Sequence, residues 1–332
     1  MGTFTKSMTK SLVAGAVLAG VLGLGSVPAG AATFKLATGT PLHNPETQAA
    51  VKFAELVTER SNGDIKIDVL SGGQAGGERE IAESLQLGTM HFAVLGGIVQ
   101  NFDPALMIVE WDFLFKDDEH VKRVLYGPVG EKINERLVDK MGVRNLAPLM
   151  RTPRLLTTNK PVEKLDDVKG MKIRVPEMPG RLALWEALGS KPTPMAFPEV
   201  VPALQLGTID GQENPIGLIA SAKMQEAVGN LAMTNHLPGF MMVLVAEDVW
   251  QDLSKEQQAL VGQAAKDASA FNDELVKEQE KTQLAEVTAK MKVTEPDMGP
   301  WRAATADVYK KFENVEGFVD LYESIREVGA SQ

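Results

Sequence analysis

The 332-residue chain has no cysteine, only four histidines and fewer basic than acidic side chains. Without cysteine it can form no disulfide, thiolate metal site or thiol nucleophile. His43, His91, His120 and His236 supply no pair at the helical spacing of a metal site. There is no G-x-S-x-G nucleophile elbow. The glycine-rich stretch Ser71 to Gly77 lacks the Gly-Lys-Ser/Thr ending of a phosphate loop, so it reads as a turn approaching a helix N-terminus. These absences disfavour an enzyme, and no metal or cofactor is expected.

The apolar run Leu12 to Gly25 is 14 residues long, short of the roughly 20 that a spanning helix needs. Lys6 and Lys10 precede it, and Ala29, Gly30, Ala31 and Ala32 follow. That is the pattern of a secretory signal peptide, expected over 1–32 and cleaved. The chain has 34 basic and 44 acidic residues; the leader holds two of the former and none of the latter, leaving a net charge of −12. Such a balance argues against a nucleic-acid partner, which would call for a basic face. An exported chain without disulfides must be stable through its core, and about 300 residues can supply one large or two medium domains.

What is present begins with a repeat. Glu80 to Thr89 (EIAESLQLGT) and Glu199 to Thr208 (EVVPALQLGT) share six identical positions. Each reads as a short amphipathic helix stopped by a glycine, Gly88 or Gly207, and followed by an extended segment, Thr89 to Leu95 or Thr208 to Ile209. Two such units suggest two similar lobes with a cleft between them. Around them, Phe34 to Ala37, Ile65 to Val69, Leu155 to Thr158, Met171 to Val175 and the apolar Phe240 to Ala246 read as strands. Asn44 with Pro45 opens a helix, and Pro179 to Leu188 is another. Strand, helix, strand points to an α/β fold with parallel pairing. Ser254 with Gln257 forms a capping box, and helix-favouring residues continue to about Lys290. Such a helix would reach about 55 Å at about 1.5 Å per residue, far enough to lie across both lobes. Trp301 to Ile325 reads as one or two further helices.

Arg174 lies in Lys172-Ile173-Arg174-Val175-Pro176, facing away from Ile173 and Val175 at a strand end. A guanidinium held there offers a planar fork to a carboxylate; the alternative is a salt bridge to Asp166 or Asp167. Arg151 and Arg154, ahead of another strand, carry the same two readings. Asn214 could donate to a carboxylate and accept from a hydroxyl. Phe197 is either core or a flat wall for a ligand.

Several stretches, taken in order, resemble a known family. They are Gly76-Gly77-Glu78-Arg79-Glu80 with Gly88, Phe113-Leu114-Phe115, Lys169 to Pro176, Pro194 to Glu199, and Ala203 to Pro215. The chain is similar over nearly its whole length after the leader to the solute-binding proteins of tripartite ATP-independent periplasmic (TRAP) transporters, of the dicarboxylate-binding DctP type. The resemblance implies a two-lobed periplasmic-binding-protein-like α/β fold with a long helix spanning both lobes. The expected division is 33–151 plus 240–279 as lobe 1 and 152–239 plus 280–332 as lobe 2. The implied function is capture of a small organic acid in the interlobe cleft and delivery to TRAP membrane subunits, by a monomer in the periplasm. A binding protein for an ATP-driven importer, or a sensory receptor, is the alternative.

Of the site residues, the resemblance implies that Arg174 pairs with the ligand carboxylate, Arg154 supports it, Asn214 hydrogen-bonds it and Phe197 packs on the ligand body. Positions near His43, Asn44 and Glu78 would line the pocket from lobe 1. Where sialic-acid-binding members place a glutamate after the first repeat's strand, this chain has Gly96, which favours a smaller acid.

Overall fold

The computed structural model describes residues 32–330 together with Gly2. The leader expected over 1–32 therefore lies outside the described residues, save Gly2 and Ala32. The remainder contains two mixed sheets. The first is ordered β2-β1-β3-β10-β4, from β1 (Ala32–Thr38), β2 (Ile65–Leu70), β3 (Phe92–Leu95), β4 (Val143–Arg151) and β10 (Gly239–Ala246). The second is ordered β11-β9-β5-β8-β6-β7. It comprises β5 (Arg154–Thr158), β6 (Lys172–Val175), β7 (Lys191–Pro194), β8 (Gly211–Pro215), β9 (Asn230–Ala232) and β11 (Lys292–Thr294).

The repeat occupies the same place in each sheet. The helix Glu78–Gln86 stops at Gly88, with φ +69°, before β3, and the helix Val200–Gln205 stops at Gly207, with φ +66°, before β8. Positive φ is what glycine adopts without a Cβ penalty. β3 then lies between a parallel neighbour, β1, and an antiparallel one, β10; β8 likewise lies between parallel β6 and antiparallel β5. The two copies are topological counterparts in two lobes.

The apolar run of β10 is explained by two-sided burial. Phe240, Met242, Leu244 and Ala246 enter the core on one face of the first sheet, while Met241, Val243 and Val245 enter the core on the other. The chain crosses between lobes at Thr152-Pro153, joining β4 to β5, and at 233–238, joining β9 to β10. Arg154 N–H donates to the Leu237 carbonyl at 3.0 Å, tying the two crossings together.

A third connection is the helix Lys255–Thr288, 34 residues long and opened by the expected Ser254–Gln257 capping box. Its Ala264, Ala265 and Ala268 are small enough to let it lie closely on the first lobe. Ser269 donates to the Pro148 carbonyl, and Asn272 to that of Met150 at 2.8 Å. Val287 belongs to the second lobe's core with Ile216 and Ile219. The segment 280–332 does not stay with one lobe. β11 joins the second sheet, whereas the helix Phe318–Ala330 puts Phe318, Leu321 and Ile325 into the first lobe's core with Trp111 and Val121. A 3.6-period stripe in the sequence says that a face is buried, but not against which lobe.

Candidate functional site

A cavity lies between the lobes. It sits beyond the carboxyl ends of β1, β3, β6 and β8, the usual ligand position in open α/β sheets. On the second-lobe side β8 runs between β5 and β6, so Arg154, Asn214 and Arg174 arrive at one end of the sheet. Register separates their roles. Arg174 is opposite Gln212, two residues before Asn214, so these three share a face; Arg154 is opposite Pro215 and shares the other face with Glu213.

Arg154 is therefore engaged before any ligand arrives. Its Nε and Nη2 bond the Glu213 carboxylate, and Nη2 also donates to the Glu213 carbonyl at 2.7 Å. Glu213 is fully buried and also receives Arg181 Nη2 at 2.9 Å and His236 Nε2 at 3.1 Å. Arg181, equally buried, pairs with Asp112. Burial alone would raise the Glu213 carboxyl, but Arg154, Arg181 and His236 hold it well below its ordinary value. This paired cluster lies beside the two strand crossings.

Arg174 is different. Its Nε and Nη2 donate to the Met195 carbonyl at 3.0 and 2.7 Å, its guanidinium sits 5.9 Å from the Phe197 ring centre, and it is 4% exposed. No carboxylate among the described residues forms an ion pair with it, Asp166 and Asp167 included. Burial, and then the like charge of Arg154, push its pKa down to about 10. It is a buried cation lacking an anion. Asn214, beside it, is oriented by a chain in which its amide donates to Gln212 and that of Gln212 to Thr157.

The first-lobe wall carries acids. Glu78, the first residue of the first repeat helix, lines the cavity together with Glu110, the last residue of the 3-10 turn Pro104–Glu110. Burial, reinforced by the Glu110 charge and opposed by Arg151, Arg174 and Arg154, raises the Glu78 carboxyl to about 7. Arg151, at the end of β4, pairs with Glu46 while its Nη2 has no hydrogen-bond partner. The lobes meet around the cavity. Asn101 Nδ2 donates to the Glu177 carbonyl at 2.9 Å, Gly180 N–H donates to Gln100 Oε1 at 2.8 Å, and a Cβ on Gly77 would come within 3.1 Å of Ala196.

Of the residues singled out from sequence, Arg174, Arg154, Asn214, Phe197 and Glu78 line the cavity. Two do not. Asn44 caps the helix Pro45–Arg60 by accepting from Glu46 N–H at 3.1 Å. His43 is exposed and borders a shallow outer depression with Leu42 and Phe271. The cap fixes both: a side chain committed to the helix start cannot turn to the cleft. Sequence reading did not single out Glu110. Its one signal was a lone acid at the end of the otherwise apolar Ala105 to Trp111.

The sequence profile of the family described as "DctP: Bacterial extracellular solute-binding protein, family 7" matches residues 36–315. The chain is similar to the solute-binding protein RD1_1052 of Roseobacter denitrificans, with 36% identity over 78% of this chain and 80% of that one. It is also similar to the sialic acid-binding periplasmic protein SiaP of Vibrio cholerae, with 31% identity over 86% and 89%. Among solved structures, the Roseobacter TRAP periplasmic solute-binding protein with bound L-galactonate superposes with a TM-score of 0.84 and 35% identity, covering 88% of this chain and 98% of that one. One from Sulfurospirillum deleyianum with bound succinate does so at 0.83 and 26%, covering 89% and 98%. With its two lobes, spanning helix and arginine-lined cleft, the chain belongs to family 7 of the bacterial extracellular solute-binding proteins, the DctP family of TRAP transport.

Proposed function

We propose that the protein captures a small organic acid in the interlobe cleft, with its carboxylate paired to Arg174, and hands it unchanged to TRAP membrane subunits. The observation that carries this reading is the buried guanidinium of Arg174, which has no acidic ion-pair partner among the described residues. An incoming carboxylate removes that deficit, and the guanidinium presents a planar set of donors. Asn214 hydrogen-bonds the same carboxylate, and Phe197 packs against the ligand body. Arg154 acts mainly through Glu213, holding the second-lobe end of the cleft in shape.

A ligand that touches both walls favours the closed arrangement of lobes over an open one, and the membrane partner recognises the closed form. The protein works as a monomer in the periplasm after its leader is removed, without chemical conversion of the ligand and without nucleic acid. Neighbours bound to L-galactonate and to succinate bracket the ligand class as sugar acids, dicarboxylates and related carboxylates.

The test is titration calorimetry of the purified protein and Arg174→Ala against a panel of such acids. Loss of every acid in the variant supports the assignment; equal affinity in both proteins refutes it. Recovery of a bound acid chemically altered after long incubation would refute binding without conversion.

A further inference from the structure

Six positions are identical between the two copies of the repeat, and the fold accounts for several of them. Leu85 and Leu204 are buried in the cores of their lobes. Gly88 and Gly207 take the left-handed conformation that stops each helix. Thr89 and Thr208 close the two caps alike. The N–H and hydroxyl of Thr89 donate to the Ser84 carbonyl at 3.0 and 3.1 Å, and those of Thr208 to the Ala203 carbonyl at 3.0 and 3.1 Å. Gln86 and Leu87, like Gln205 and Leu206, stand in solvent instead. Leu87 and Leu206 are each 78% exposed, more than any other large apolar side chain among the described residues.

A lone exposed leucine is ordinary on a soluble surface. Two at the same position of a repeat, on different lobes, call for a reason. The two units begin face to face across the mouth of the cleft: a Cβ on Gly77 would lie 3.1 Å from the Ala196 side chain, and one on Gly73 3.1 Å from that of Pro198. Each helix starts there and ends at its leucine, so the leucines flank the mouth from opposite lobes. A partner that receives the acid must sit over the mouth, where these are the apolar groups it meets. Exposed carboxylates accompany them, Glu80 and Glu83 on the first helix and Glu199 at the start of the second, on a chain whose acids outnumber its bases.

We infer that Leu87 and Leu206 form a two-point docking surface for the outward face of the TRAP membrane subunits, which supplies two apolar pockets bordered by basic side chains. This rests on the proposed delivery to those subunits and adds where they hold the protein. Because the leucines ride on different lobes, their spacing changes as the lobes move, and a rigid pair of pockets accepts both at one spacing only. The second contact is then intramolecular, so loss of either leucine forfeits most of the binding. Anionic lipid headgroups would repel the carboxylates, and so would the same acids on a second copy.

The chain has no cysteine, so a single-cysteine variant carries a unique label. Leu87→Cys and Leu206→Cys, each coupled to a benzophenone maleimide, should photo-cross-link to TRAP membrane subunits of the same organism in nanodiscs, with succinate or L-galactonate present. Tyr126→Cys, at a side chain 61% exposed but outside the repeat, should not. Leu87→Gln and Leu206→Gln should each dock to the same nanodiscs at least tenfold more weakly, the loss expected when a leucine no longer enters an apolar pocket. Their urea unfolding and their calorimetric affinity for organic acids should be unchanged. Undiminished docking by both glutamine variants would overturn the inference and leave delivery to TRAP subunits standing. So would cross-links no stronger than those of the Tyr126→Cys control, cross-links from one lobe alone, or cross-links only to lipid or to a second copy. Wild-type protein that does not dock at all would instead overturn the delivery reading, and this one with it.

Discussion

Replacing Arg174 with alanine should leave the ligand-free protein nearly as stable as the wild type while abolishing its stabilisation by ligand. Burial and Arg154, outweighing the pull of Glu213, Glu78 and Glu110, lower this guanidinium to about 10, which corresponds to about 3 kcal/mol against its charged form. Against that stand two charge-assisted hydrogen bonds to one carbonyl, worth about 1.5 to 3 kcal/mol together. Contact with Phe197 adds about 1 kcal/mol. The terms nearly cancel, so urea unfolding without ligand should differ by no more than about 1 to 2 kcal/mol. With an organic acid at about 1,000 times its Kd, the wild type should gain about 4 kcal/mol and the variant nothing. A ligand-free loss above about 3 kcal/mol would mean that Arg174 is part of the scaffold. A ligand-induced gain preserved in the variant would mean that the carboxylate binds elsewhere.

Arg154→Ala should behave in the opposite way, costing about 3 to 5 kcal/mol in ligand-free unfolding because it strips a partner from the buried Glu213 carboxylate. Acid attacks the same cluster. The stability that Glu213 contributes is present above its ordinary 4.5 and is lost as pH falls through its depressed folded value, so Glu213→Gln should flatten the acid limb of a stability–pH curve. Glu78 has the reverse sign. The stability it contributes is present below 4.5 and lost as pH rises to about 7, so Glu78→Gln should be the more stable protein at pH 8, with no such advantage at pH 4. An anion beside Glu78 raises it further, so wild-type binding near pH 7.5 should take up protons, seen as buffer-dependent heats that Glu78→Gln lacks. Gly77→Val, at ordinary φ, would put its Cβ 2.9 Å from Glu80 Oε2 and 3.1 Å from Ala196 across the mouth, so it should weaken ligand affinity severalfold. Gly207→Ala has open space but φ +66°, so its cost should be about 1 to 2 kcal/mol of backbone strain.

Much of this protein was local enough to be legible in the chain. The repeat specified helix, glycine stop and strand twice over, although the strands begin at Phe92 and Gly211, later than the residues alone suggested. Ser254 and Gln257 announced the spanning helix, since a cap needs only neighbours three residues apart. The two-sided core of β10 followed from seven consecutive apolar residues. Arg174 could be singled out because Ile173 and Val175 had to face inward and Pro176 had to end the strand. Whether it met Asp166 or a ligand could not be decided at that level.

Tertiary structure decided which charges are already paired. Arg154 and Arg174 look alike in sequence, each at a strand end beside apolar residues. The register of β8 puts Glu213 on the face of Arg154 and Gln212 on the face of Arg174, so one cation is neutralised and the other is left for a ligand. Glu110 reaches the cavity only because Gly96 and Gly97, 13 or more residues away in the chain, vacate the space it fills. The final helix returns to the first lobe for a similar reason: its apolar face is written in the chain, but its partner is not. Caps, turns and periodicity act over a few residues and can be read from them. Charge pairing and shape act through space, and only the fold brings together the residues that settle them.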